Sequence, residues 1–258
     1  MKKNKMMRLA SGLLVAVLIT TSTISGTFAK YVTEAEAGDT ARVAKFGVVV
    51  TANGTLFDTT YVEEAEDNVP GTQKPGAAIT VESSNGDNLV APGTKNEEGI
   101  TFAITGTPEV DVNVAVTVDN VKDIFLAQKT GLPNMTTGLD TDTFDNGADY
   151  YPVKYTLTST VLGTMVNGGT MADVETALAA INNTYEANTN LATEVGTLKL
   201  TWAWDFDDAG AGTYDKQDTL LGDLAAGTTL TPATTLTAGT DYSLNTEVKI
   251  NITVTQVD

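Results

Sequence analysis

Apolar residues recur at every second position over several long stretches of this chain. Val110, Val112, Val114, Val116 and Val118 alternate with Asp111, Asn113, Ala115 and Thr117, the signature of a strand with one buried face. Gly99 to Thr105, then Val153, Tyr155 and Leu157, repeat the pattern. So do Leu198, Leu200, Trp202 and Trp204, and near the C-terminus Val248, Ile250, Ile252 and Val254. Strands with one wet face, separated by Gly, Thr, Asn and Asp turns, predict an all-β antiparallel sandwich rather than a parallel α/β sheet. One segment has a helical period instead. Thr170-Met171-Ala172-Asp173 forms a capping box, and Val174, Leu178, Ile181 and Tyr185 then fall on one stripe. This predicts an inserted helix at about 170–187. Val121 to Gln128 reads as a second, shorter helix, and Ala225 to Thr240 as a hairpin-rich surface segment.

The first thirty residues follow a different logic. Met1 to Arg8 is basic, and Leu9 to Thr21 is an apolar run interrupted by Gly12. Thr27-Phe28-Ala29 then places small residues where a signal peptidase reads, just before Lys30. The run is short for a membrane span. A type IV pilin would need a longer apolar helix with an early Glu, and none is present. The expectation is an exported protein cut between Ala29 and Lys30, touching the membrane only through the uncleaved signal peptide. Residues 30–40 then form a polar, flexible leader. A single sandwich domain occupies 41–258, with Ala41 to Val50 as its first strand.

Composition removes whole classes of chemistry. The chain has 258 residues with no Cys and no His, so thiol nucleophiles, disulfides, imidazole bases and His-containing zinc sites are absent. Thirty-three acidic residues oppose 15 basic ones, a net charge of −18. Removing residues 1–29 takes away Lys2, Lys3, Lys5 and Arg8, leaving 11 against 33, or −22. Such a surface repels nucleic acid and keeps an exported protein soluble.

A few local patterns suggest ligands. Asp205, Asp207 and Asp208 open a stretch resembling a calcium loop, but its twelfth position holds Lys216 instead of a bidentate acid. Asp140, Asp142 and Asp145 resemble another and lack the full spacing. Both read better as solvated turns, so no cofactor is expected, with calcium the one alternative. Trp202 and Trp204 share a face and read as core anchors rather than a sugar platform. Tyr151-Pro152-Val153-Lys154 interrupts the YPK order of sortase-linked pilins, and no LPxTG signal follows. No carboxylate pair stands out for hydrolysis, so the chain is read as non-enzymatic.

Gly26-Thr27-Phe28-Ala29, then Lys30-Tyr31-Val32, then Ala44 to Val50 resemble the opening of the TasA/camelysin family of secreted matrix proteins from Gram-positive bacteria. Val90-Ala91-Pro92-Gly93-Thr94 and the strands after it are similar to a second family block, and the closing strand Val248 to Val254 to a third. The resemblance implies a jelly-roll-like sandwich, a dedicated signal peptidase, and self-association into extracellular or cell-surface biofilm-matrix fibres. In such fibres an N-terminal segment adds a strand to the next subunit. Here that donor would be Lys30, Tyr31, Val32, Thr33 and Glu34. The metalloprotease activity described for some members does not carry over to a chain without His. Tyr31-Val32-Thr33 and Thr94 depart from the family pattern, which leaves room for a relative that never polymerises. The alternative is a monomeric cell-surface module that binds carbohydrate or calcium through Trp202, Trp204 and the Asp205 turn.

Overall fold

A computed structural model describes residues 32–36, 47–63, 79–134, 143–205, 214–230 and 234–257. Two antiparallel sheets dominate. The smaller contains β1 (Val32–Glu36), β15 (Glu247–Gln256), β6 (Val112–Lys122) and β12 (Asn183–Tyr185), in that order. The larger runs β11 (Gly163–Gly169), β10 (Lys154–Ser159), β13 (Thr197–Trp204), β5 (Thr94–Gly106) and β2 (Val48–Gly54). Three two-stranded ribbons complete the set. β3 (Thr60–Glu63) pairs with β4 (Ile79–Glu82), β7 (Phe125–Leu126) with β14 (Tyr242–Ser243), and β8 (Lys129–Pro133) with β9 (Thr143–Asn146).

The period-2 pattern explains this arrangement. Along β13 every second residue is buried, ending in Trp202 and Trp204. On β15 the buried positions are Ile250, Ile252 and Val254; on β6 they are Val112, Val114, Val116 and Val118. These faces and those of β2, β5 and β10 meet in one apolar core. Burying a side chain of this size is worth about 1.5–3 kcal/mol. The chain crosses between sheets at β1 to β2 and again at β5 to β6. The architecture is therefore the expected antiparallel β-sandwich with an inserted helix.

Helix α1 (Met171–Ala179) forms that insertion. The Thr170 hydroxyl accepts from the Asp173 N–H, and the Asp173 carboxylate accepts from the Thr170 N–H at 2.8 Å. Met171, Val174 and Leu178 are buried. The helix stops well before residue 187. Asn182 turns its side chain to accept the Val116 N–H, and Tyr185 belongs to β12, paired with Val112. This long-range bond ties the end of the helix to β6, a tertiary contact that the helical spacing does not register.

Other expectations are corrected. Val121 to Gln128 is not helical. Its first two residues finish β6, with Lys122 opposite Glu247, and Phe125–Leu126 forms β7. Cross-strand partners outweigh a short stretch of helical spacing. The first strand of the larger sheet starts at Val48, later than Ala41; residues 41–46 lie outside the described set. Two helices were not expected: α2 (Leu191–Glu194) and α3 (Asp215–Ala225). The latter ends at Ala225, where the expected hairpin-rich segment begins.

Gly99 sits where β5 bulges against β13, between the pairs Trp202–Asn96 and Leu200–Ile100. Its φ is +61°, and a Cβ there would lie 2.0 Å from the Leu200 carbonyl oxygen. Only glycine fits. Gly99→Ala is expected to cost about 2 kcal/mol or more, read as a fall in the denaturant midpoint. An unchanged midpoint would contradict this account of the bulge.

Candidate functional site

The place where the N-terminal segment meets the sandwich is the edge of the smaller sheet. β15 has a neighbour on each side. On one it pairs with β6 along nearly its whole length, from Glu247–Lys122 to Gln256–Val112. On the other it pairs with β1. The register there is Val32–Thr255, Thr33–Val254, Glu34–Thr253, Ala35–Ile252 and Glu36–Asn251, all antiparallel. Thr33 and Ala35 therefore stand opposite the buried Val254 and Ile252. β1 is the outermost strand. A five-residue edge strand is held from one side only, so its loss exposes a full row of β15 backbone groups.

Of the expected donor residues, Val32, Thr33 and Glu34 thus lie in β1, docked on their own sandwich. Lys30 and Tyr31 lie outside the described residues, as does the Ala29–Lys30 junction. The reach of Glu36 toward other strands is set by the eleven residues 37–47 that precede β2. Fully extended, such a link spans on the order of 40 Å.

Of the suggested calcium ligands, Asp145 and Asp205 fall among the described residues. Asp205 is exposed at the end of β13, and Asp207 and Asp208 lie outside the described residues, as do Asp140 and Asp142. Among the described residues, no group of three or more acidic side chains gathers as a metal site. Both tryptophans are core residues. The Trp202 indole N–H donates to the Leu56 carbonyl at 2.6 Å, and its ring meets Tyr61 edge-on. Trp204 donates to Asp218 Oδ1 at 3.1 Å, and the Tyr150 hydroxyl donates to the same oxygen at 2.6 Å. Neither indole offers a flat, exposed face to a sugar; they are 2% and 5% exposed.

One half-buried carboxylate escaped the sequence reading. Asp123, in the turn between β6 and β7, accepts the Met171 N–H at 3.1 Å through Oδ2, at the start of α1. Its Oδ1 is buried without a hydrogen-bond partner. The nearby Tyr155 hydroxyl shares a 2.8 Å hydrogen bond with Thr246. Burial pushes the Asp123 pKa up, against the Met171 hydrogen bond, the nearby Tyr155 hydroxyl and the Lys154 charge, which pull it down; Asp173 adds a smaller upward push. Burial also pushes the Tyr155 phenol well above its ordinary range, so it stays neutral. An ionisable group in a two-residue turn carries no local mark of its burial, because β10 and α1 supply it.

Comparison with known protein families, curated proteins and solved structures returns no match. The site is therefore argued from its geometry.

A carboxyl whose folded pKa lies above its unfolded value stabilises the fold most when protonated. That contribution is full below the unfolded value, near pH 4, and is lost as pH rises through the elevated folded value. Asp123→Asn should therefore raise stability at neutral pH, by about 1 kcal/mol, and leave it little changed in acid. Urea midpoints at pH 3 and pH 7.5 check this. A variant less stable than the parent at pH 7.5 would show that the ionised carboxylate is the favoured form.

Proposed function

We propose that this chain is a secreted, non-enzymatic structural protein whose copies join into extracellular filaments by exchanging β1. The observation that supports this most is the pairing of Val32–Glu36 with β15 at the edge of the smaller sheet. The resemblance of the opening stretch to fibre-forming matrix proteins points the same way.

The physical argument concerns equivalence. β1 makes the same main-chain bonds with β15 whether that strand belongs to its own sandwich or to a neighbour's. Internal pairing is favoured by proximity, and exchange by protein concentration and by any strain in folding residues 37–47 back. Giving β1 forward leaves the donor's own β15 open to a third copy. Such a head-to-tail contact uses two different surfaces and extends without closing. Removal of residues 1–29 at the membrane would release Lys30 and the leader for this exchange. It would also place assembly outside the cell, where a mature charge of −22 keeps single copies apart until they are concentrated. Main-chain pairing carries no net charge, so it can proceed across that repulsion once salt screens it.

Electron microscopy of the chain beginning at Lys30, held at high concentration and physiological salt, is expected to show filaments. Deleting Lys30 to Asp39 should leave single particles, and a synthetic peptide of that sequence should bind them one to one. Filaments that persist without the segment would overturn strand exchange. A parent chain that stays monomeric at every concentration would overturn the structural role.

A further inference from the structure

Four Asn-Gly pairs occur in the chain, beginning at Asn53, Asn85, Asn146 and Asn167. Three of them are held in ways that keep the asparagine amide from the N–H that follows it. Asn53 and Asn167 lie within β2 and β11, where a side chain stands out of the sheet while the next N–H lies in its plane. Asn146 is buried, and its amide donates to the Leu126 and Ala127 carbonyls at 3.0 and 3.1 Å. Asn85 differs. It sits in the exposed loop after β4, and that loop is pinned at both ends. The Ser83 N–H donates to the Thr59 carbonyl at 2.8 Å, and the Leu89 N–H to the Asp58 carbonyl at 3.0 Å.

Within this loop the side chain of Asn85 and the backbone share one set of hydrogen bonds. The Gly86 N–H donates to Ser83 Oγ at 3.1 Å, and that hydroxyl donates to Asn85 Oδ1 at 2.9 Å. The Asp87 N–H donates to the same Oδ1 at 3.2 Å, and Asn85 Nδ2 donates to Asp87 Oδ2 at 2.7 Å. These partners fix which way the amide points, because its oxygen alone can accept from two donors and its nitrogen alone can donate to a carboxylate. Gly86 has φ +84°, a backbone conformation that glycine adopts freely.

The geometry points to Asn85 as a site of self-deamidation, with Gly86 N as nucleophile, Ser83 as proton relay and the Asp87 N–H as oxyanion donor. The Gly86 nitrogen bonds to Asn85 Cγ while its proton passes to Ser83 Oγ, and the Ser83 hydroxyl proton passes to Oδ1. The Asp87 N–H stabilises the charge that builds on that oxygen during the attack. The Oδ1 proton then moves to Nδ2 by way of Asp87 Oδ2, the Cγ–Nδ2 bond breaks, and ammonia leaves a succinimide. Water opens this ring at either carbonyl, giving aspartate or its isomer with the main chain running through the side chain. Overall, one amide and one water become one carboxylate and one ammonium, with no oxidation or reduction. The product sets a second negative charge beside Asp87, where an amide had bonded it, so the set of hydrogen bonds does not re-form. This reaction is independent of filament formation.

Mass spectrometry of peptides cut from the full chain, after incubation at neutral pH, reads the conversion at each Asn-Gly pair. The reference is a synthetic peptide of residues 81–89, which has the sequence without the fixed loop. Asn85 in the full chain is expected to convert roughly tenfold faster than in the peptide, and ahead of Asn53, Asn146 and Asn167. Ser83→Ala should bring the full chain down to the peptide's rate with its melting temperature little changed. Ser83→Thr, which keeps the hydroxyl, should recover most of the parent rate. Conversion at Asn85 no faster in the full chain than in the peptide overturns the proposal. So does a Ser83→Ala chain as fast as the parent, or a Ser83→Thr chain as slow as Ser83→Ala.

Discussion

A β-strand has two rows of backbone donors and acceptors, and both must be answered when it carries buried side chains. β15 shows how this protein meets that demand. Ile250, Ile252 and Val254 anchor it in the core, β6 answers one row, and β1 answers the other over five residues. The first described strand therefore closes on the last, joining segments more than 200 residues apart in the chain. The proposed assembly depends on this junction, where an N-terminal strand, a sheet edge and a core strand coincide.

The remainder of the molecule looks built to be a stable support. The sheets share one core. Trp202 fixes the loop after β2 through Leu56, and Trp204 fixes α3 through Asp218. Among the described residues, the Lys95–Glu97 and Lys122–Glu247 ion pairs are exposed, where such pairs are worth well under a typical core contact, while Lys129–Asp241 is more sheltered. The net charge of −18 favours solubility. Under the proposed exchange the core residues of β15 would stay packed against β6.

Much of this was readable from residues alone where the information is local. Alternation over β6, β10, β13 and β15 gave strands with the correct faces, and Thr170 with Asp173 gave the start of α1. Failures cluster where a distant partner decides. β1 reads as a polar leader because nothing within Val32–Glu36 announces β15. Val121 to Gln128 carries helical spacing, yet Glu247 and Tyr242 pair it as strand. α3 escaped because Tyr214 gives it no side-chain cap and Gly222 interrupts it, while its buried face includes the polar Gln217. The burial of Asp123 is a product of tertiary packing, with no motif to reveal it.

The central claim is that β1 of one copy can replace β1 of another on β15. Because the chain has no cysteine, it can be tested with two single substitutions at one cross-strand pair. Thr33 and Val254 stand directly opposite, a separation that a disulfide can bridge. Chains carrying Thr33→Cys and chains carrying Val254→Cys are mixed, assembled and oxidised. Strand exchange predicts covalent pairs containing one chain of each kind, accumulating as filaments form. If cross-linking occurs only when both cysteines are placed in the same chain, and mixed filaments yield none, β1 remains with its own sandwich and the account of assembly is wrong.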